Sequence, residues 1–388
     1  MESSPGLVQA PIRWTEAVMR APRRGRSPEG VLTVGVLPGE GIGREVVAAA
    51  LRVLAAIESA CGRRFEIRTG GAIGREAEVL SGRPLTEEVV SFCREVFDGG
   101  GAVLAGPGGG RFVYELRRRF DLYCKISPLC PRDALASVGP LKPSTGGART
   151  DVLIVRENVG GVYQGQWGDA VEAGEGRVCE HRFRYTERQV RRILESAAAL
   201  AKARRGLLAV VVKEGGIPGV SALWREVSEE VASRAGVRAC SVDIDLMAYR
   251  LIREPTSFDV VVAPNLFGDV LADLGAALLG SRGVSFSGNF SEDGAAVYQT
   301  NHGSAVDLAG LDRANPIGQI EALAMMLRES FGLTREAGWI ETGVDEALRL
   351  GFRTFDVLEE GTTLVGTAEM GQRISAAVAR VAGSSTAE

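Results

Sequence analysis

FDVVVAPNLFGDVLADLG, at 258–275, is the stretch that decides the fold. Its first part is an apolar, β-branched run, which is typical of a strand covered on both faces of a sheet. After Pro264, apolar residues follow at three- and four-residue spacing and predict a helix over 267–280. A buried strand that leads directly into a helix is the repeating unit of α/β proteins.

The same alternation continues in both directions along the chain. Helical spacing is clear in REVVAAALRVLAAIESA (44–60), and DLMAYRLIREP (245–255) predicts a helix that ends before Pro255. Continuous apolar runs separated by such segments predict an α/β fold with a largely parallel sheet. The predicted strands lie at 32–37, 65–68, 102–105, 152–155, 208–212 and 259–263.

The composition describes a globular protein that is long enough for two domains. Of 388 residues, 45% are hydrophobic and 24% charged, and the net charge of −4 gives no reason to expect a nucleic-acid partner. No apolar run approaches the roughly 20 residues that span a bilayer, so no membrane role is expected. Six scattered cysteines without a C-x-x-C pair, and only two histidines, exclude the usual zinc spacings and indicate reduced thiols in a cytoplasmic protein.

Two segments fall outside this alternation. Residues 1–30 carry five arginines and three glutamates without a strand or helix period. A transit peptide is disfavoured, because such peptides are poor in acids. Since the segment also lacks a periodic pattern, we expect a poorly structured N-terminal extension there. The polar, glycine-rich segment 158–180 is longer than most connections, which predicts a functional loop or an interaction arm.

A group of carboxylates between 243 and 273 is the strongest chemical signal. Asp269 and Asp273 are four residues apart, so on a helix both side chains project from one face. Such a pair is unfavourable unless a cation lies between the two charges, and Asp245 from another segment could complete an oxygen-only site for Mg²⁺ or Mn²⁺. A solvated acidic helix face is the commoner explanation of an isolated D-x-x-x-D.

Four longer motifs favour the metal site. PNLFGDVLADLG (264–275) and HGSAVDLAGLDRANPIGQIEALAMML (302–327) resemble the signature of the β-hydroxyacid oxidative decarboxylases, the isocitrate and isopropylmalate dehydrogenase family. DVLIVRENVGGVYQG (151–165) and VGVLPGEGIGREVV (34–47) are similar to other landmarks of that family, in the same order. The resemblance extends from about residue 32 to about residue 382.

The resemblance implies an isopropylmalate dehydrogenase-like architecture. A large cofactor-binding α/β domain would comprise 31–122 and 276–388, and 123–275 would form an inserted, smaller substrate and dimerisation domain. The active site would lie in the cleft between them. The family's dimers share their sites, so Lys213 and Asp245 are expected to reach the cleft of the partner subunit of a homodimer. The 158–180 arm would clasp that partner.

The resemblance also implies roles for individual residues. Asp245, Asp269 and Asp273 match the family's metal-binding aspartates, Lys213 and Tyr163 its catalytic lysine and tyrosine, and Arg117 and Arg156 two arginines that hold substrate carboxylates. Taken singly, each has an ordinary explanation, such as a surface lysine for Lys213 or a loop aromatic for Tyr163. Their joint placement favours the functional interpretation.

The chemistry expected of the family requires these residue types. A divalent ion bound by the substrate hydroxyl and α-carboxylate lowers the pKa of the alcohol. Lys213 would take the proton while hydride leaves for the nicotinamide. Asp245 is counted among the expected catalytic residues as well as among the metal ligands. The resulting β-keto acid loses carbon dioxide, and Tyr163 would reprotonate the enolate. Arginine suits the carboxylates because its planar fork bonds both oxygens.

The cofactor site implied by the resemblance is not a Rossmann loop. GEGIG (39–43) follows a strand but is not G-x-G-x-x-G. Asp307 can accept hydrogen bonds from the ribose hydroxyls of NAD and would repel the 2′-phosphate of NADP, so NAD is the expected cofactor. The other expected cofactor contacts are His302, Gly303, Ser304, Ala305 and Asn315.

Several positions depart from the family's pattern. The family usually has an arginine where this chain has Ser127, and Lys125 lies two residues earlier. Either Lys125 or Arg111 replaces the charge of the missing arginine, or the substrate presents a different group at this position. Arg111 and Tyr114 do not fit a pocket for an isopropyl group, and they do not match the serine that isocitrate enzymes usually have in this segment. These substrate-side residues predict a non-standard, malate-like 2-hydroxy acid.

Two alternatives stay open beside this hypothesis. One is a tartrate-like or phosphonate-bearing acid, for which decarboxylation is uncertain. The other is a catalytically silent regulatory subunit. The second is disfavoured because Tyr163, Lys213 and all three aspartates are present, whereas silent subunits typically lose some of them.

Overall fold

The computed structural model describes residues 12–20, 30–140 and 149–385. The strands of this part of the chain are β1 (Leu32–Leu37), β2 (Phe65–Thr69), β3 (Ala102–Ala105), β4 (Cys124–Leu129), β5 (Val152–Glu157), β6 (Gln166–Glu172), β7 (Gly176–Arg182), β8 (Leu207–Val212), β9 (Arg238–Asp243), β10 (Val260–Ala263), β11 (Phe286–Phe290), β12 (Ala296–Thr300), β13 (Phe352–Arg353) and β14 (Thr363–Leu364). The helices are α1 (Trp14–Val18), α2 (Gly43–Cys61), α3 (Gly74–Ser81), α4 (Glu87–Asp98), α5 (Phe112–Arg119), α6 (Glu187–Lys202), α7 (Pro218–Ala235), α8 (Ile244–Arg253), α9 (Asn265–Leu278), α10 (Ile317–Glu329), α11 (Thr334–Arg349) and α12 (Thr367–Ser385).

Ten of these strands form one central sheet. Its order is β2-β1-β3-β12-β11-β4-β5-β10-β8-β9, and the pairs on both outer sides are parallel. Antiparallel pairing is confined to the middle, where β11 joins β12 and β4, and β4 joins β5. The predicted α/β fold with a mostly parallel sheet is therefore confirmed.

The two sides of the sheet come from different parts of the sequence. β2, β1, β3, β12 and β11 come from 31–122 and 276–388, whereas β4, β5, β10, β8 and β9 come from 123–275. The domain boundaries at 122/123 and 275/276 stay a prediction. The second of these boundaries falls inside α9, near its end.

The central strands are buried because helices cover them. Every residue of β5 and β10 is buried, as the continuous apolar runs predict, and α6 packs against both strands. α2 is amphipathic and turns Val46, Val53 and Ile57 into the core. Among the described residues, no helix is long and apolar enough to cross a membrane.

Residues 12–20 differ from the expected extension. Thr15 is buried, its backbone N–H donates to Glu329 Oε2 (3.1 Å), and its hydroxyl donates to the Glu329 carbonyl (3.0 Å). The Tyr123 hydroxyl donates to the Val18 carbonyl (3.1 Å). The prediction of little fixed structure is wrong here, because these tertiary contacts hold a helix too short to show a period in the sequence. The rest of the predicted extension, 1–11 and 21–29, lies outside the described residues.

The segment 158–180 contains a β-hairpin that stands apart from the central sheet. β6 and β7 pair with each other only, and almost every residue on them is exposed. Trp167 and Val171 are among the exposed side chains. Because an isolated two-stranded hairpin is marginally stable in water, this shape supports the predicted interaction arm.

Candidate active site

The candidate site lies where β5 meets the first turn of α9. Arg156 is buried near the end of β5, and Asn265 Oδ1 accepts hydrogen bonds from its Nε (3.0 Å) and Nη2 (2.8 Å). Gly268 allows this approach, because a Cβ there would lie 2.8 Å from Arg156 Cβ and Cγ, inside van der Waals contact. The strand-to-helix turn therefore fixes the Arg156 guanidinium at this edge of the sheet.

Asp269 is the carboxylate that Arg156 and Tyr163 share. Arg156 Nη1 donates to Oδ1, and the Tyr163 hydroxyl donates to Oδ2 (2.9 Å). Burial alone would raise the pKa of Asp269, but the positive charges of Arg156 and Lys125 and the Tyr163 hydrogen bond outweigh burial and lower that pKa. Asp269 is therefore ionised at neutral pH.

Tyr163 is held between aromatic and cationic neighbours. The centroids of the Tyr163 and Tyr114 rings are 5.0 Å apart. Arg111 Nη2 donates to the Tyr163 carbonyl (3.1 Å), and Arg111 Cζ lies 4.6 Å from the centroid of the Trp167 ring. Burial and the neighbouring Asp269 raise the pKa of Tyr163, so its hydroxyl keeps its proton at neutral pH.

Two further buried cations, Arg117 and Lys125, accompany Arg156, and we call these three residues the cation cluster. Lys125 on β4 lies directly opposite Arg156 in the register of β4 and β5. Burial, with repulsion from Arg156, lowers the pKa of Arg117 to about 9. Burial and the charges of both guanidiniums lower the pKa of Lys125 well below its usual value. The excess of buried positive charge beside Asp269 suits an anionic ligand.

Ser127, the residue in place of the family's arginine, supplies only a neutral hydroxyl. It lies two residues after Lys125 on β4 and is also buried. Its Oγ lies 3.5 Å from Asn301 Oδ1, at the limit of a hydrogen bond. The positive charge on this strand is therefore carried by Lys125.

One subunit does not gather the three predicted metal ligands. Asp273, one turn along α9 from Asp269, accepts from Arg282 Nη2 (3.2 Å), and Asp245 accepts from Lys213 Nζ (2.9 Å). Within the described ranges, no group of three or more His, Cys, Asp or Glu side chains could hold a metal ion. The donor chemistry of Asp269 and Asp273 suits a hard cation, but a single chain supplies an incomplete site.

The predicted cofactor segment packs against the glycine-rich turn after β1. Ser304 Oγ donates to Glu40 Oε1 (2.7 Å), and the Ile42 N–H donates to the Ser304 carbonyl (3.0 Å). Gly41 has a φ of +58°, and a Cβ there would lie 2.0 Å from the Ser304 carbonyl oxygen. The turn therefore holds the backbone of Ser304 in place.

His302, which is half-buried, and Asn315, which is buried, are polar groups of this segment. His302 Nδ1 pairs with the Gly303 carbonyl (2.9 Å), whereas Nε2 is buried and has no partner among the described residues. Burial lowers the pKa of His302, so the imidazole is neutral at pH 7. Asn315 Nδ2 donates to Asp356 Oδ2 (3.1 Å). The unpaired Nε2 is a group that a bound cofactor could satisfy.

Gly303 and Asp307 are open to solvent, whereas Ala305 is half-buried. A Cβ on Gly303 would meet no atom within 4 Å, and Asp307 is exposed. Ala305 has a φ of +37°, which is unusual for a residue with a side chain. Backbone held in this way is frequent at ligand sites.

Residues 33–374 match the family described as isocitrate/isopropylmalate dehydrogenase. This match spans most of the chain. The chain belongs to this family.

Individual relatives of this dehydrogenase agree with that membership. It is 40% identical over 360 residues to the 3-isopropylmalate dehydrogenase of Geobacillus kaustophilus, covering 89% of this chain and 95% of the relative. It is 38% identical over 355 residues to that of Aquifex aeolicus, covering 88% and 95%. The crystal structure of isocitrate dehydrogenase from Methylococcus capsulatus superposes with a TM-score of 0.80 at 29% identity, covering 90% and 99%. The chain is therefore a hydroxy-acid dehydrogenase of the isocitrate/isopropylmalate type.

Sequence reasoning missed three residues around this dehydrogenase's site. Asn265 orients Arg156, and Glu40 accepts from Ser304 and from the Gly109 N–H (2.8 Å). Glu157 accepts from the N–H groups of the turn before Tyr163, and burial raises the pKa of this carboxyl to about 7. An acid directly before a glycine-rich turn, as in RENVGG, is a signal that could have indicated this role.

Proposed function

We propose that this dehydrogenase oxidises a malate-like 2-hydroxy acid with NAD and a divalent cation, Mg²⁺ or Mn²⁺, and that the oxidised acid then loses carbon dioxide. The cation cluster carries this proposal, because three buried basic side chains lie beside the ionised carboxylate of Asp269. Such an excess of charge suits a compact acid that has more than one anionic group.

The cation would be held by Asp269 and Asp273 together with Asp245 of the partner subunit. When bound, a divalent ion lowers the pKa of the substrate hydroxyl and stabilises the charge that develops during decarboxylation. Arg156 and Tyr163 hold Asp269 in one orientation through both of its oxygens. Arg156 and Arg117 would clamp the substrate carboxylates.

Proton transfer is assigned to Lys213 and Tyr163. The hydrogen bond from Lys213 to Asp245 raises the pKa of the ammonium, so within one chain Lys213 is protonated. An Asp245 engaged elsewhere would no longer hold that proton, and Lys213 could then accept the proton of the substrate hydroxyl. Tyr163, which keeps its proton, is the donor to the product enolate.

We also propose a homodimer whose two clefts each contain Lys213 and Asp245 from the partner subunit. α8 exposes Leu246, Tyr249 and Ile252 at three-residue spacing, beside Asp245. An apolar stripe of this kind on a surface helix marks an interface with another chain. The exposed hairpin of β6 and β7 would clasp the same partner.

The second candidate substrate is 3-isopropylmalate, which is favoured by the names of the relatives at 38–40% identity. Against it stand the side chains around Tyr163: Arg111 and Tyr114 offer a cation and a phenol where an isopropyl group needs an apolar pocket.

A substrate panel tests the proposal. Malate, tartrate, isocitrate and 3-isopropylmalate are each supplied with Mn²⁺ and NAD, and NADH absorbance is followed together with carbon dioxide release. We expect the highest kcat/KM for a malate-like acid without an apolar substituent. Higher kcat/KM for 3-isopropylmalate than for every other acid would select the second candidate instead.

The cofactor preference depends on Asp307. Asp307→Lys is expected to raise the ratio of kcat/KM for NADP to that for NAD by at least about a hundredfold. The carboxylate of Asp307 would repel the 2′-phosphate of NADP, whereas a lysine ammonium would attract it. Both reduced cofactors are measured by absorbance. Glu360→Lys, which places the same charge change at another exposed acid, is the control. An unchanged ratio would remove Asp307 from the cofactor site.

A further inference from the structure

Lys125 is a buried cation that lacks a partner. Its side chain is 4% exposed, and within the described ranges its ammonium makes no hydrogen bond or ion pair. Arg117 and Arg156 repel it, and Asp269 and Asp273 attract it, but Asp269 already accepts from Arg156 and Tyr163, and Asp273 accepts from Arg282. Keeping the ammonium charged in this setting costs free energy unless a bound anion compensates for the charge.

Arg111, the other cation that could replace the missing arginine, is already engaged. Its guanidinium donates to the Tyr163 carbonyl (3.1 Å) and stacks on the Trp167 ring at 4.6 Å. It also lies 5.3 Å from the centroid of the Tyr114 ring. Arg111 therefore stabilises the protein around Tyr163, whereas the ammonium of Lys125 is free for a ligand.

The register of β4 places this free charge beside Arg156. Lys125 is opposite Arg156 on one side and opposite Asn289 on the other. Ser127 lies on the same face, roughly 7 Å further along the strand, because alternate residues share a face. The basic side chain of β4 therefore lies two residues closer to Arg156 than a side chain at position 127 would.

We propose that the Lys125 ammonium pairs with a second anionic group of the substrate, next to the one that Arg117 and Arg156 hold. Lys125 then replaces the missing arginine of position 127 as a specificity-determining residue, and it selects acids whose second acidic group lies within its reach. This inference rests on the proposed function, which supplies the hydroxyl group of the substrate and the reaction that it undergoes. The anion-binding role of Lys125 is a specificity-determining role that can be measured without turnover.

Lys125→Met tests the proposal by binding and by stability. Calorimetry with malate and with tartrate, each enantiomer separately and in the presence of Mn²⁺, should show affinity lower by at least about thirtyfold. The thermal midpoint of the ligand-free variant should rise, because a buried amine without a hydrogen-bond partner is replaced by an apolar chain of similar length. Lys125→Arg should retain part of the affinity. Arg118→Met, which removes an exposed charge beside Arg117, should change neither value.

The outcomes separate this inference from the proposed function. Unchanged affinity in Lys125→Met, a lower thermal midpoint or a loss of the fold would each overturn it, as would failure of the unmodified protein to bind any of these diacids. Weaker binding in Lys125→Met, but no turnover of any diacid by the unmodified protein, would support Lys125 and refute the proposed reaction. Normal turnover of a diacid by Lys125→Met would support the proposed reaction and refute the role of Lys125.

Discussion

Replacing Asp269 with Asn is expected to lower kcat/KM at least about a thousandfold. The amide keeps the shape of the side chain and can still accept the Tyr163 hydrogen bond. It removes an ionised group that offsets the charge of the cation cluster and that we propose as a ligand of the divalent cation. Because the change leaves the buried Arg156 without its ionised partner, the variant should also have a lower thermal midpoint, and activity is measured well below that temperature. NADH absorbance and carbon dioxide release measure the effect, and both should disappear together.

Asp133→Asn is the matched control for this change. Asp133 is a surface carboxylate whose side chain is 74% exposed and pairs with Arg149. Its replacement should leave turnover within about twofold, since exposed ion pairs contribute little. Turnover by Asp269→Asn at the rate of the unmodified enzyme would remove the carboxylate, and the cation it is proposed to hold, from the mechanism.

Replacing Lys213 with Met is expected to lower kcat by about a hundredfold to ten-thousandfold, the range that a positioned acid or base contributes. Substrate and NAD affinity should change much less, because Lys213 is assigned to proton transfer. Lys202→Met, at an exposed lysine that ends α6, should behave as the unmodified enzyme. Partial rescue of Lys213→Met by added alkylamine would identify the lost group as a base. An unaltered kcat would show that Lys213 takes no part in proton transfer.

Much of the fold could be predicted because its strands are buried on both faces. Runs such as 152–155 and 208–212 are continuously apolar, and a fully covered strand has no other pattern. The helix predicted over 267–280 begins two residues earlier, since the polar Asn265 belongs to its first turn and carries no apolar signal. Helix α1 escaped prediction because distant contacts, above all with Glu329, hold it in place.

The candidate site shows what one sequence can and cannot supply. Arg156, Tyr163 and Asp269 were predicted from motifs far apart in the chain, and the structure brings them into direct contact. Lys213 and Asp245 also pair, but in the part of the chain that the structure describes they belong to no group of three or more side chains that could hold a metal ion. We propose that their place in a complete site depends on a second chain, which no local pattern encodes. Lys125 needed the strand register to show that it faces Arg156.

The central claim is that each active site is built from two subunits, and mixing two inactive variants tests it most directly. Asp269→Asn and Lys213→Met chains are produced together so that mixed dimers form. In a mixed dimer one cleft then receives an intact Asp269 from one chain and an intact Lys213 from the other. About a quarter of the unmodified activity should return, since about half of the dimers are mixed and each has one complete site. If mixed dimers form but stay as inactive as the separate variants, the shared site is contradicted.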